Sequence, residues 1–255
     1  MSVSLHEKKI LITREEHQAK AFSHKVLAYD GIPVEVPLLK ISCKDLWENK
    51  RIFANVNRYE WVFFTSANGV NCFFQLAKSY QITNPILKNK RLAAVGHKTE
   101  EALKEFGYTC DFIPTTYNAD TMASEFLSGY TVSGPILLVR GNRSRDVLPT
   151  VFSTHGITYD AALVYEIAYN YQMTDRLNTV LRENTFDFIT FTSPSTVEAF
   201  VEMATIHHEA TCVCIGTTTQ RRARELGFTS ILTPDEFTID GMLLCISNYI
   251  AEEEL

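Results

Sequence analysis

Six short polar motifs carry most of the chemistry that this chain can offer. They are Thr13-Arg14, Thr65-Ser66-Ala67-Asn68-Gly69, Gly96-His97-Lys98-Thr99, Arg140-Gly141-Asn142-Arg143, Thr192-Ser193-Pro194-Ser195 and Gly216-Thr217-Thr218-Thr219. Each follows a short β-branched or aromatic run and opens a segment of helical period, so each reads as a strand-to-helix junction. There a small residue lets backbone N–H groups approach an anion, the helix dipole favours negative charge, and hydroxyls add donors. A single hydroxyl at a helix start is most simply an N-cap. Six such junctions, with Arg14, Lys98, Arg140, Arg143 and Arg145 at the same edges of an acidic chain, point to a ligand bearing many anionic groups. Arg143 and Arg145 also fit as solvated helix charges. Tyr165 stands apart in an extended segment, where a phenol could donate a proton or simply pack.

Other chemistries lack their motifs. The chain has no GxxxxGK[ST] or GxGxxG loop and no GxSxG elbow, which removes the usual nucleotide-binding mechanics and the common serine hydrolase route. His17, His24, His155, His207 and His208 are scattered and read as surface side chains; only His97 falls at a junction. Cys43, Cys72, Cys110, Cys212, Cys214 and Cys245 lack paired CxxC spacing and sit mostly in apolar runs, so they read as buried thiols of a reducing compartment, with no metal.

The elements that must hold these junctions alternate in type, which predicts βα units and parallel sheets. Strands are expected over 8–13, 60–65, 91–95, 108–113, 135–139, 187–191, 211–215 and 229–232. In an open parallel sheet the ligand lies beyond the carboxyl ends of the strands, where all six motifs fall. The segment from Thr99 to Phe106 puts Ala102, Leu103 and Phe106 on one helical face with Gly107 as its stop, and Arg221 to Leu226 before Gly227 repeats it. Asp120 and Asp240 read as N-caps. Two segments, 32–39 and 157–167, look extended and connecting; Pro33 and Pro37 place the first at an edge or in a linker.

The landmarks repeat in order. Lys9 to Arg14 matches Pro135 to Arg140, Gly31-Ile32 matches Gly156-Ile157, and Trp61 to Ser66 matches Phe188 to Ser193. Ala93 to Gly96 then matches Val213 to Gly216, Gly107 matches Gly227, and Ala119 to Met122 matches Ile239 to Met242, these last three all 120 residues apart. The preserved order implies a duplicated unit. A length of 255 residues allows one large or two small domains, and 45% hydrophobic with 21% charged residues excludes disordered and collagenous classes. A net charge of −6 argues against nucleic acid as a partner. No stretch approaches a membrane span and the first residues carry no apolar signal core, so the expected location is the cytoplasm.

The ordered motifs resemble those of the uroporphyrinogen-III synthase family over nearly the whole chain. The resemblance rests on Ile12-Thr13-Arg14, Phe64 to Val70, Ala94-Val95-Gly96 with Thr99, Val139 to Asn142, Val164-Tyr165, Phe191 to Ser195 and Ile215 to Thr219. It implies two flavodoxin-like α/β domains with parallel sheets joined by a two-stranded linker, with the N-terminal unit completing the C-terminal domain. The expected domains are 1–36 plus 168–255 and 40–163, with crossovers near 32–39 and 157–167 and the site in the cleft between them. It further implies cofactor-free closure of hydroxymethylbilane, a linear tetrapyrrole with eight carboxylates, to uroporphyrinogen III, with loss of water and inversion of ring D. Tyr165 would be the general acid. Ser66, Thr99, Ser193, Thr217, Thr218 and Thr219 would hold carboxylates or orient ring D, with Thr13, Arg14, Thr65, Gly96, Arg140, Gly141, Ser195 and Gly216 completing the cradle. A monomer supplied by hydroxymethylbilane synthase is expected, with no metal and no membrane partner. The rival reading is a non-enzymatic bilobed binding protein for a small polyanion, which would release its ligand unchanged.

Overall fold

The computed structural model describes residues 3–82, 87–206 and 209–253; His207 and His208 lie outside them. The chain divides into two compact units, Met1–Lys40 with Ala168–Leu255, and Ile41–Ile167.

The first unit contains β1 (Lys9–Ile12), α1 (Glu16–Ala28) and β2 (Ile32–Glu35) from the start of the chain. Its remainder is α7 (Thr174–Glu183), β8 (Phe188–Phe191), α8 (Pro194–Met203), β9 (Thr211–Cys214), α9 (Thr217–Glu225), β10 (Ile231–Leu232) and α10 (Ile239–Glu253). The parallel sheet runs β10-β9-β8-β1-β2, which in the unit's own chain order is the 2-1-3-4-5 order of a flavodoxin-like sheet, with its switch point between β1 and β8. Ile10 and Ile12 pack under Phe22 and Val26 of α1 and Met242 and Ile246 of α10.

The second unit contains α2 (Trp47–Ala54), β4 (Trp61–Phe64), α3 (Ala67–Ser79), β5 (Arg91–Ala94), α4 (His97–Glu105), α5 (Ala119–Gly129), β6 (Ile136–Gly141) and α6 (Val147–Thr154). The chain passes from one unit to the other within β3 (Leu39–Cys43) and β7 (Tyr159–Tyr169). The sheet runs β3-β7-β6-β4-β5. Lys44 N–H donates to Val164 O and Asn170 N–H to Leu38 O, so β3 and β7 run antiparallel while β7, β6, β4 and β5 are parallel. The all-apolar β4 is explained by cover on both faces. Val62 and Phe64 belong to the core beneath α3, and Trp61 and Phe63 meet Phe126 and Phe152 on the other side.

The pairing shows how the duplication is used. By repeat position β6 corresponds to β1 and β8 to β4, yet β4 pairs with β6 and β1 with β8. Each sheet is therefore completed by a βαβ piece from the other repeat. Gly107 and Gly227 end α4 and α9 as expected, at φ +81° and +95°. In each case the residue after the glycine donates back five residues, Tyr108 to Leu103 and Phe228 to Ala223, which satisfies a terminal carbonyl.

Several expectations are corrected. The strand over 108–113 reduces to one bridge between Ala93 and Phe112, because the Asp111 carboxylate takes the Leu92 N–H that a longer ladder would need. Segment 157–167 is more than a connector, since β7 pairs with β6 from Tyr159 onward. Asp120 and Asp240 are not caps: Asn118 and Thr238, two residues earlier, accept the N–H groups of Thr121 and Gly241. The two aspartates sit in the first turn and pair instead with Arg145 and Lys25. Cys43 and Cys72 form a disulfide, because the end of β3 lies against α3 with the two Cα atoms 5.2 Å apart. Cys110, Cys212, Cys214 and Cys245 are free thiols.

Candidate functional site

Within the second unit the carboxyl ends of β4 and β6 converge on Tyr165. The β6–β7 register slips between Arg140 and Gly141, so that Gly141 stands opposite Tyr165. Such a bulge re-aims a side chain. Asn142 secures the strand beyond it, its side chain accepting from Ile167 N–H at 2.9 Å and donating to Ile167 O at 3.2 Å. The ring lies against Gly141: a Cβ there would be 2.3 Å from Tyr165 Cζ, so any side chain would force the ring to move. Tyr165 is only 6% exposed. Ser66, in extended backbone ahead of α3, accepts the Gly69 N–H at 3.0 Å and donates its own hydrogen to the Tyr165 phenolic oxygen at 2.9 Å. The phenol proton is not used in that bond.

The Gly96 and Gly216 junctions are built differently. Both glycines are N-caps in extended conformation, and neither helix has a side-chain cap. The first N–H groups of α4 and α9 therefore lack intrahelical partners. Residues 97 and 98, and Thr217 and Thr218, are exposed on the first turns, whereas Thr99 and Thr219 are buried beneath them. An aromatic ring leans on each glycine, Tyr117 on Gly96 and Phe237 on Gly216. His97 is engaged by Glu100 and by the Tyr117 ring. Lys104, then His97, hold the Glu100 carboxyl below its ordinary range.

The remaining junctions are partly or wholly occupied. Ser193 caps α8 in a reciprocal box with Thr196, and its hydroxyl lies 3.0 Å from that of the half-buried Ser195. Thr13 is fully buried and its hydroxyl donates to Thr190 O at 2.7 Å, clamping β1 to β8. The helix start beside it is already capped by the Glu15 carboxylate, which accepts the His17 N–H at 3.2 Å. Thr65 similarly donates to Val139 O at 3.2 Å. Arg140 is bonded to Ser144 O at 2.6 Å and to Asp146 at 2.8 Å, and the Gly141 N–H goes to Ser144 Oγ. In this geometry the Thr13 and Thr65 hydroxyls, one guanidinium nitrogen of Arg140 and the Gly141 N–H are engaged by protein partners, and Gly141 makes room for a ring. Arg14 bonds Gln18 at 2.8 Å; burial lowers its pKa, Glu15 opposes the shift, and it stays cationic. Among the described residues no cluster of three or more His, Cys, Asp or Glu could hold a metal ion, and no helix is long and apolar enough to cross a membrane.

Sequence reading reached Ser66, Gly141 and Tyr165 separately but missed their joint arrangement, since a one-residue bulge leaves no mark in composition. It also missed Tyr117 and Phe237, although their spacing of 120 is that of Gly96 and Gly216.

Comparison with known proteins gives a consistent set. The family model described as uroporphyrinogen-III synthase HemD matches residues 20–243. The porphyrin biosynthesis protein HemD of Ruminiclostridium josui is 27% identical over 92% of this chain, which spans only 47% of that longer protein. The uroporphyrinogen-III synthase of Chlorobaculum parvum is 28% identical over 90% of this chain and 94% of its own length. In fold, the crystal structure of uroporphyrinogen-III synthetase from Helicobacter pylori covers 97% of this chain and 100% of its own at a TM-score of 0.66 and 18% identity. With the family model matching most of its length, the chain belongs to the uroporphyrinogen-III synthase family.

Proposed function

We propose that this chain closes hydroxymethylbilane to uroporphyrinogen III without a cofactor, and that Tyr165 gives up the proton on which the reaction begins. The terminal C–O bond breaks with the electron pair leaving on oxygen, the phenol proton completes a water molecule, and ring A becomes a cationic, N-protonated azafulvene beside the phenolate. Attack by the substituted carbon of ring D, fragmentation of the spiro intermediate and recombination invert that ring. The proton lost as the last pyrrole regains aromaticity restores the phenol, so the net change is loss of one water.

The observation that carries this reading is the Ser66 hydroxyl donating to the phenolic oxygen at 2.9 Å. That bond fixes the ring and leaves the phenol hydrogen for the leaving group. It strengthens as negative charge develops on the oxygen, which is the kind of interaction that lowers a barrier. The carboxylates are assigned to the open starts of α4 and α9, to Thr217, Thr218, Ser193 and Ser195, and to Arg14, whose half-buried charge an anion would relieve. Thr99 and Thr219 support these turns from beneath. Because the bilane also closes unaided to the non-inverted isomer, holding one folded conformation matters as much as the acid. The same instability favours receipt of the substrate directly from hydroxymethylbilane synthase. A binding protein that releases its ligand unchanged finds no support in the named relatives.

The test is product analysis: freshly generated hydroxymethylbilane is incubated with the protein, the products are oxidised, and type III is resolved from type I. The type III isomer is expected to dominate. Tyr165→Phe keeps the ring and removes the donor, so turnover should fall on the order of 10²-fold with the melting temperature nearly unchanged, and the mixture should shift to type I. Wild-type turnover and isomer ratio in that variant would refute the acid role.

A further inference from the structure

The two aromatic residues beside the open helix starts are largely exposed, although the Tyr117 ring meets that of His97. Tyr117 immediately precedes the Asn118 cap of α5, and Phe237 immediately precedes the Thr238 hydroxyl that caps α10. An apolar residue in that position ordinarily folds onto the fourth residue of its own helix. Here those residues are Met122 and Met242, both fully buried, while the rings are 55% and 57% exposed. Each ring covers a glycine at another helix: a Cβ on Gly96 would lie 2.9 Å from Tyr117 Cγ, and one on Gly216 would lie 3.2 Å from Phe237 Cγ. Exposed aromatic residues scattered singly need no explanation. Two at equivalent repeat positions, each beside an uncapped helix start, are not scattered.

We infer that Tyr117 and Phe237 are substrate-contact residues, each presenting an aromatic face to a pyrrole ring whose carboxylate side chains reach the neighbouring helix start. The inference rests on the function proposed above. A tetrapyrrole alternates flat apolar rings with carboxylate arms, and a ring platform beside free N–H groups matches both parts at once. The glycines complete the design, because any side chain there would push the platform away from the helix start. The ring is what matters, which accounts for tyrosine in one repeat and phenylalanine in the other.

The test combines steady-state cyclisation with anaerobic equilibrium binding of uroporphyrinogen III to the full chain. Tyr117→Ser and Phe237→Ser should each raise KM and the product Kd about threefold to tenfold, with kcat little changed. The type I share should also grow as more bilane closes in solution. Tyr117→Phe and Phe237→Tyr should behave as wild type. If serine lowers the melting temperature, Tyr117→Leu and Phe237→Leu keep apolar cover without a flat face and should still raise Kd. Unchanged KM and Kd in a folded Tyr117→Ser/Phe237→Ser double variant, or full affinity in the leucine variants, would overturn the inference. Failure of wild type to form type III product would sink the proposed function alone, since the product Kd still reads the platforms.

Discussion

Replacing Gly141 by alanine tests the proposed acid, Tyr165, without touching it. The added Cβ would fall 2.3 Å from Cζ, 2.5 Å from Cε2 and 2.8 Å from Cε1 of Tyr165. Carbon atoms in contact sit about 3.5–4 Å apart, so the ring has to retreat by roughly 1 Å. Tyr165 is buried in the core that includes Val139 and Val164, and that retreat meets packed side chains. Overpacking of this kind costs about 1–3 kcal/mol of stability. A proton donor misplaced by about 1 Å costs on the order of 10²-fold in rate. The two losses separate in a double-mutant cycle. In a Tyr165→Phe background the ring still collides, so Gly141→Ala should lower the melting temperature as before, but no donor remains to misplace and turnover should fall no further. The measurements are kcat, isomer ratio and melting temperature for the four proteins. Normal turnover in Gly141→Ala, or a rate loss that simply multiplies with that of Tyr165→Phe, would refute the reasoning.

Three further outcomes follow from the same geometry. Ser66→Ala should cost about 1 kcal/mol of stability through the lost cap and roughly tenfold in kcat at nearly constant KM, while Ser66→Thr, which keeps both bonds, should restore most of each. Denatured protein should titrate four thiols before reduction and six after it, and Cys43→Ser/Cys72→Ser should lose about 3.5 kcal/mol of stability for a bridge spanning 29 residues; six thiols without reductant would remove the bridge. Burial, reinforced by Glu100 and Asp111, pushes the Cys110 thiol up to about 12. Its thiolate fraction at pH 8 is then about 10⁻⁴, so alkylation of the native protein should run on the order of 10³-fold slower than for free cysteine and rise about tenfold per pH unit up to that value; ordinary labelling at pH 8 would contradict it.

The sequence was legible where one physical signal acted alone. The apolar run Trp61 to Phe64 could only be a strand covered on both faces, and Gly107 and Gly227 could only be stops, because other residues rarely adopt their φ values. Legibility failed where two signals competed for one group. The run 108–113 has strand composition, yet Asp111 satisfies Leu92 locally and the ladder goes no further. Asp120 has the right type for a cap, but Asn118 reaches the same turn from a better position. The Cys43–Cys72 bridge depends on the packing of β3 against α3, which no spacing reveals.

The same distinction sorts the candidate site. In sequence Thr13, Thr65, Ser66, Thr99 and Ser193 are alike, hydroxyls at strand ends. In the fold they separate by whether a backbone partner is already within reach. Thr13 and Thr65 find a carbonyl on the neighbouring strand and are spent holding the sheet. Ser66 and Ser193 accept from their own helices, and their hydroxyls reach another side chain, Tyr165 for Ser66 and Ser195 for Ser193. At Gly96 and Gly216 there is no side chain to intervene, so the backbone donors themselves stay open. An anion competes only for donors that the fold has not taken, and a substrate with eight carboxylates needs several of them at once. On the proposed reading the glycines thus do more for binding than the threonines beside them. Where a strand-to-helix junction lacks a capping side chain, the absence is the more informative feature.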